Sequence, residues 1–119
     1  MRALRVLVVE DDALLGVFLG EMLEGMGHSV CAIEATEAGA VAAAAQLRPE
    51  LMIVDAQLRE GSGVSAVEQI LQTRFVPHVF VSGAKVQALR AGAILIHKPF
   101  FEGDLTQAIQ RALTEAAAL

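Results

Sequence analysis

The sequence has one cysteine, Cys31, and no tryptophan or tyrosine. A lone cysteine cannot close an internal disulfide, so the fold must rest on its apolar core, as is usual where thiols stay reduced. A cytoplasmic protein is expected. Apolar runs such as Val6 to Val9 and Ile94 to Ile96 fall far short of the roughly 20 residues that cross a bilayer. Membrane insertion is therefore not expected, and the start Met1-Arg2-Ala3-Leu4-Arg5 leads into no segment long enough to serve as a signal peptide. Basic side chains are the minority, nine against fourteen acidic ones, for a formal charge of −5. A surface of that sign repels phosphate backbones, which argues against direct nucleic-acid binding. His28, His78 and His97 lie too far apart to form a local metal-ligand pair, and no second cysteine joins Cys31. Surface or core roles are expected for all three histidines. No Walker A, dinucleotide-binding or zinc-protease motif is found. The 119 residues leave no room for a second globular domain, so residues 1–119 are expected to form one domain without a fused effector.

What is present is an alternation of strand and helix patterns. Val6-Leu7-Val8-Val9 is a continuous, β-branched run, the pattern of a strand buried on both faces of a parallel sheet. Leu14/Leu15, Phe18/Leu19 and Met22/Leu23 then recur every four residues up to Gly27, which predicts an amphipathic helix with a glycine stop. Gly16 and Gly20 on that helix predict close packing. Ser29 to Ile33 suits a second strand, and Glu37 to Leu47, with its alanine tract, a second helix closed by Pro49. Leu51 to Val54 is a third buried strand, followed by Gly61-Ser62-Gly63 and a helix carrying Val64, Val67, Ile70 and Leu71. Val79 to Val81 and Ile94 to Ile96 are the last strands, with a short helix expected around Val86 to Ala91 between them, and Leu105, Ile109 and Leu113 mark a closing helix. Five such units without a long linker predict the α/β class, an open, mostly parallel sheet with helices on both faces.

In these sheets the functional crevice lies beyond the carboxyl ends of the strands. The residues there are Glu10, Asp11 and Asp12 after the first strand, Asp55 after the third, Ser82-Gly83 after the fourth, and Lys98-Pro99 after the fifth. Clustered carboxylates repel one another unless a cation joins them, and oxygen ligands of this kind suit Mg²⁺. A carboxylate beside Mg²⁺ and an ammonium can act as a nucleophile toward phosphorus, because the cations neutralise the transferring group's oxygens. Asp55 is central enough for that part. Lys98 and the Ser82 hydroxyl would donate to a phosphoryl group, and Gly83 would leave room for it.

With these residues in place, the chain resembles the receiver domain of two-component response regulators from Arg5 to Leu113. The resemblance is carried by Val8-Val9-Glu10-Asp11, Ile53-Val54-Asp55, Phe80-Val81-Ser82-Gly83 and Lys98-Pro99-Phe100. It implies a flavodoxin-like (βα)5 sheet in the order 2-1-3-4-5. It further implies that Asp55 accepts a phosphoryl group from a histidine kinase or a histidine phosphotransfer protein. Asp11, Asp55 and the backbone carbonyl of Gln57 would bind Mg²⁺, with Glu10 acting through water. Lys98 would pair with the phosphoryl group, Ser82 would move to bond it, and the Lys98–Pro99 peptide would be cis. Asp12 fits the first helix's N-cap instead. Such a module signals to a downstream protein target and catalyses only its own phosphorylation and dephosphorylation.

Three features depart from the family pattern. Leu95 stands where many receivers carry the aromatic residue that reports phosphorylation, so another switching element is implied. The eleven residues Gly83 to Ala93 allow a fourth helix of about two turns only. Arg59 replaces a common proline after the acceptor. The Phe-x-Ser-Gly strand end, the missing aromatic and the short helix together resemble a single-domain subclass with a Phe-x-Thr-Gly signature. Two other readings are carried alongside: a phosphohydrolase with Asp55 as nucleophile, which would lack an acid at Gln57, and a receiver-like module that binds constitutively. Glu10, Asp11, Asp12 and Asp55 with Lys98 account for three of the five net negative charges, so the acidity is mainly that of a site.

Overall fold

Val6 and Val8 pack on one face of the sheet and Leu7 and Val9 on the other, and all four are at most 1% exposed. The same division repeats one strand away, with Leu51 and Ile53 on the first face and Met52 and Val54 on the second. An unbroken apolar run is therefore the sequence of a strand covered on both sides, rather than of one with a wet face. In the computed structural model, which describes residues 2–84 and 89–119, β1 (Arg5–Val9), β2 (Ser29–Glu34), β3 (Leu51–Asp55), β4 (His78–Ser82) and β5 (Leu95–His97) form one parallel sheet. Its order is β2-β1-β3-β4-β5, the order implied by the resemblance.

Four helices cover it among the described residues: α1 (Ala13–Gly25), α2 (Glu37–Leu47), α3 (Gly63–Thr73) and α4 (Glu102–Ala117). Leu19 and Leu23 of α1 join Leu105, Ala108 and Ile109 of α4 over one face, while Ala40, Ala43 and Ala44 of α2 join Ala66, Val67 and Ile70 of α3 over the other. The helix ends follow local chemistry. Asp12 Oδ1 accepts the Leu15 N–H at 3.1 Å, the N-cap bond that a short acidic side chain supplies. At the other end Gly27, at φ +96, allows Gly27 N–H to reach Glu24 O and His28 N–H to reach Leu23 O, the paired bonds of a Schellman stop. Gly16 lets α1 settle onto β2, since a Cβ there would lie 3.0 Å from Ile33 Cγ2. Among the described residues, no helix is long and apolar enough to cross a membrane.

Two expectations shift. The fifth strand runs from Leu95 to His97 rather than from Ile94 to Ile96. Ile94 is buried and its carbonyl accepts the Phe80 N–H at 2.8 Å; apolarity marks what is buried, while the paired residues are set by the backbone ladder. Half of the short helix expected around Val86 to Ala91, residues 86–88, lies outside the described residues; Leu89 to Ala93 form no helix, and Ala91-Gly92 is a turn. Of the histidines, His28 is a core residue, 5% exposed, whose Nδ1 accepts the Leu4 N–H.

Candidate phosphoacceptor site

The sheet's carboxyl edge brings together residues 88 positions apart. Lys98, just beyond β5, places Nζ 2.9 Å from Glu10 Oε1 and 2.8 Å from Asp55 Oδ2. Both carboxylates are buried, with side-chain exposures of 1% and 8%. Glu10 leads out of β1, where its N–H still donates to Glu34 O, and its second oxygen accepts the Asp12 N–H at 3.1 Å. Asp55 ends β3, and its other oxygen accepts the Gln57 N–H at 3.0 Å. The Lys98–Pro99 peptide is cis.

Burial pushes the Glu10 carboxyl above the usual carboxylate range, against the opposing pull of Lys98. For Lys98, burial alone would lower the ammonium's pKa, but the hydrogen bonds and charges of Asp55 and Glu10 outweigh it and hold the group above lysine's ordinary value. The lysine is thus protonated at any neutral pH, and the burden of desolvation falls on Glu10.

Asp11 completes the cluster, for one oxygen each from Glu10, Asp11 and Asp55 lie within 4.8 Å of one another. Three carboxylates against one ammonium leave an excess of negative charge on hard oxygen donors, the donor set that fits a Mg²⁺ ion. Asp11 Oδ2 accepts the Arg59 N–H at 2.8 Å and lies 3.9 Å from Arg59 Nε. Arg59 is therefore tied to one carboxylate of the acidic cluster, that of Asp11.

Ser82 is 1% exposed, and its hydroxyl is held by Ala84, donating to the carbonyl at 2.9 Å and accepting the N–H at 3.1 Å. Its hydroxyl bonds thus run to the loop after β4 rather than to Asp55. A Cβ at Gly83 would lie 3.9 Å from Lys98 Cδ, ordinary contact, so the space left by this glycine flanks the lysine stem. Leu95 occupies the aromatic position and packs partly buried against the α2–α3 side of the core. His97 is exposed.

Two contributors escaped the sequence reading. Gly63 reads as a helix start, yet a Cβ there would lie 1.8 Å from the Asp55 carbonyl oxygen. Glu37 marks only the start of the second helix in the sequence, yet its carboxylate accepts the Ser62 N–H and the Ser65 hydroxyl, both at 2.8 Å. The only local signals were the glycine's place after Ser62 and an acid at a helix start, and both are common without such contacts.

Known proteins share this chain's sequence pattern and fold. The family model for the response regulator receiver domain matches residues 6–110. The phyllosphere-induced regulator PhyR of Methylorubrum extorquens is 35% identical over 117 residues, covering 93% of this chain and 44% of that protein. The KDP operon transcriptional regulatory protein KdpE of Escherichia coli is 34% identical over 119 residues, covering 95% of this chain and 52% of that protein. The chain thus spans about half the length of these relatives. The solution structure of the Erythrobacter litoralis PhyR receiver domain superimposes with a TM-score of 0.85 at 31% identity, over 94% of this chain and 91% of that one. Sequence, sheet order and family match together place the chain in the response regulator receiver domain family.

Proposed function

We propose that this chain accepts a phosphoryl group on Asp55 from a histidine kinase or histidine phosphotransfer protein and passes the signal on by protein contact, in the cytoplasm. The observation that carries this reading is Lys98 Nζ bridging Asp55 and Glu10 at 2.8 and 2.9 Å beside Asp11. Asp11, Asp55 and the Gln57 carbonyl would hold Mg²⁺, with Glu10 acting through water. The ion, when bound, neutralises negative charge on the transferring group. An Asp55 oxygen attacks phosphorus, and an O–P bond forms as the donor's P–N bond breaks. Lys98 turns from the carboxylate to a phosphoryl oxygen, and Ser82 leaves Ala84 to donate to another. Gly83 lies beside the lysine's path, and Pro99 follows it in cis.

Intact mass measurement after incubation with a small phosphodonor and Mg²⁺ tests this. Wild type should gain one phosphoryl group and Asp55→Asn none. A wild type that stays unmodified, with candidate kinases as well, would favour a constitutive interaction module, and repeated turnover of an unrelated phosphate ester would favour a phosphohydrolase.

The donor's approach is supported by an apolar rim. Lys98, Pro99 and Phe100 line a groove of about 330 Å³ with Leu15, Phe18 and Met22, and Leu14, Phe18 and Phe101 are 80%, 57% and 84% exposed. Such patches mark contact surfaces, and this one opens beside Lys98. Phe18→Glu, at an exposed residue that lines the groove, should slow transfer from a donor protein about tenfold relative to transfer from a small phosphodonor, the cost of one interface anchor of about 1.4 kcal/mol. An unchanged ratio of the two rates would remove the rim from the donor's path.

A further inference from the structure

Three carboxylates accept backbone amides from the segment joining β3 to α3. Asp55 Oδ1 accepts the Gln57 N–H at 3.0 Å, Asp11 Oδ2 that of Arg59 at 2.8 Å, and Glu37 Oε1 that of Ser62 at 2.8 Å. The first two acceptors are the residues assigned above to the cation and the phosphoryl group. A divalent ion takes carboxylate oxygens as its own ligands, in competition with the amides of Gln57 and Arg59. Glu37 stands outside that competition. It comes from α2, and its second oxygen is engaged by the Ser65 hydroxyl at 2.8 Å and by Gln69 Nε2.

Glu37 is fitted closely to the segment. Its N–H donates to Glu60 O at 3.1 Å, and a Cβ at Gly61, whose φ is +84, would lie 2.4 Å from Glu37 Cβ. The Ser62 and Ser65 hydrogen bonds hold the carboxyl below the usual carboxylate value, so it is an acceptor throughout the neutral range. Of the segment's other bonds, one anchors its first residue to the sheet, Ala56 N–H donating to Val81 O at 3.0 Å, and the rest close it on itself: Gln57 pairs with Ser62, and the Gly63 N–H reaches Ala56 O at 3.1 Å.

We propose that Glu37 is a positioning residue, which keeps the β3–α3 segment, and with it Gln57, over the acidic site when Asp11 and Asp55 turn to a divalent cation. The proposal rests on the phosphoacceptor reading. It assigns the segment two kinds of tie, one exchanged on loading and one kept. Loss of the kept tie costs the loaded state more than the unloaded one, because only the unloaded state still has Asp11 and Asp55 to hold the amides.

The test is calorimetric titration of the intact chain with Mg²⁺ alone, in wild type, Glu37→Ala and Glu37→Gln, each checked for folding by circular dichroism. Glu37→Ala should bind about tenfold more weakly, the low end of what an outer partner contributes to a metal site. Glu37→Gln, whose amide oxygen can still accept the Ser62 N–H, should stay within about twofold of wild type. Hydrogen exchange supplies the second readout. In wild type, Mg²⁺ should release the Arg59 amide and leave Ser62 protected; in Glu37→Ala, Mg²⁺ should release both. A purely structural glutamate would lower the melting temperature and leave the Mg²⁺ affinity of the folded chain where it was. Equal affinities in folded wild type and Glu37→Ala, or a Ser62 amide released by Mg²⁺ in wild type, would overturn the proposal alone. A wild type that takes up no Mg²⁺ would overturn the phosphoacceptor reading, and the proposal with it.

Discussion

Gly63→Ala is expected to destabilise the chain by about 4 kcal/mol, at the upper end of single substitutions. The added Cβ would lie 1.8 Å from the Asp55 carbonyl oxygen and 2.8 Å from both the Asp55 carbonyl carbon and Val54 Cγ1. The first two of these atoms are backbone at the end of β3, and Gly63 itself is tied to Ala56 O at 3.1 Å. Neither side can yield without breaking a ladder or a turn, so the cost exceeds the usual 1–3 kcal/mol of an overpacked core. The measure is the urea midpoint followed by far-UV circular dichroism. Gly103→Ala is the control, since nothing lies within 4 Å of its added Cβ. At that helical position alanine should be neutral or stabilising by up to about 1 kcal/mol. A Gly63→Ala loss below about 1 kcal/mol would mean that α3 can slide away from Asp55 freely, contrary to the close approach of Gly63 to the Asp55 carbonyl.

Lys98→Met, measured without divalent cations, should cost about 3 kcal/mol at pH 8, the low end for stranding a buried charge. Glu10 and Asp55 would lose their shared counter-charge while their oxygens lie within 4.8 Å, where like charges repel by about 3 kcal/mol at an effective dielectric near 20. The pH dependence fixes the cause. In wild type the lysine's pKa is raised, so its contribution is complete at neutral pH and is lost only as pH rises beyond lysine's ordinary value. Glu10 runs the other way: burial raises its pKa, so the folded state takes up its proton more readily than the unfolded one. In Lys98→Met that uptake moves to higher pH, and stability should rise as pH falls from 8 toward 5, because the folded state then binds more protons than the unfolded state. The gap from wild type should therefore narrow on acidification. A gap constant over that range would assign the loss to packing of the lysine stem instead.

Much of the fold was legible because its signals are local. Both-face burial writes Val6 to Val9 and Leu51 to Val54 as unbroken apolar runs, and the ends of α1 follow from Asp12 and Gly27. The quartet of Glu10, Asp11, Asp55 and Lys98 was legible for a related reason: each stands immediately after a strand, and a parallel sheet gathers strand ends at one edge.

The order of those residues around one site, and what else touches it, belonged to the tertiary structure. A β1–β2 register shift between Val6 and Leu7 leaves Cys31 as the extra residue, with Sγ 3.4 Å from Val6 O; no pattern around a lone cysteine announces that. Gly63 reads as a helix start until β3 is placed beneath it. Glu37 meets Ser62 and Ser65 across 25 and 28 residues of chain, and Arg59 meets Asp11 across 48. The sequence alone determined the alternation of elements, the covered sheet and the acidic edge, because periodicity and strand ends are properties of neighbouring residues. The close approach at Gly63, the amide ties of Glu37 and the tie of Arg59 to Asp11 were decided only by packing, because they depend on distances between segments that the chain does not place side by side.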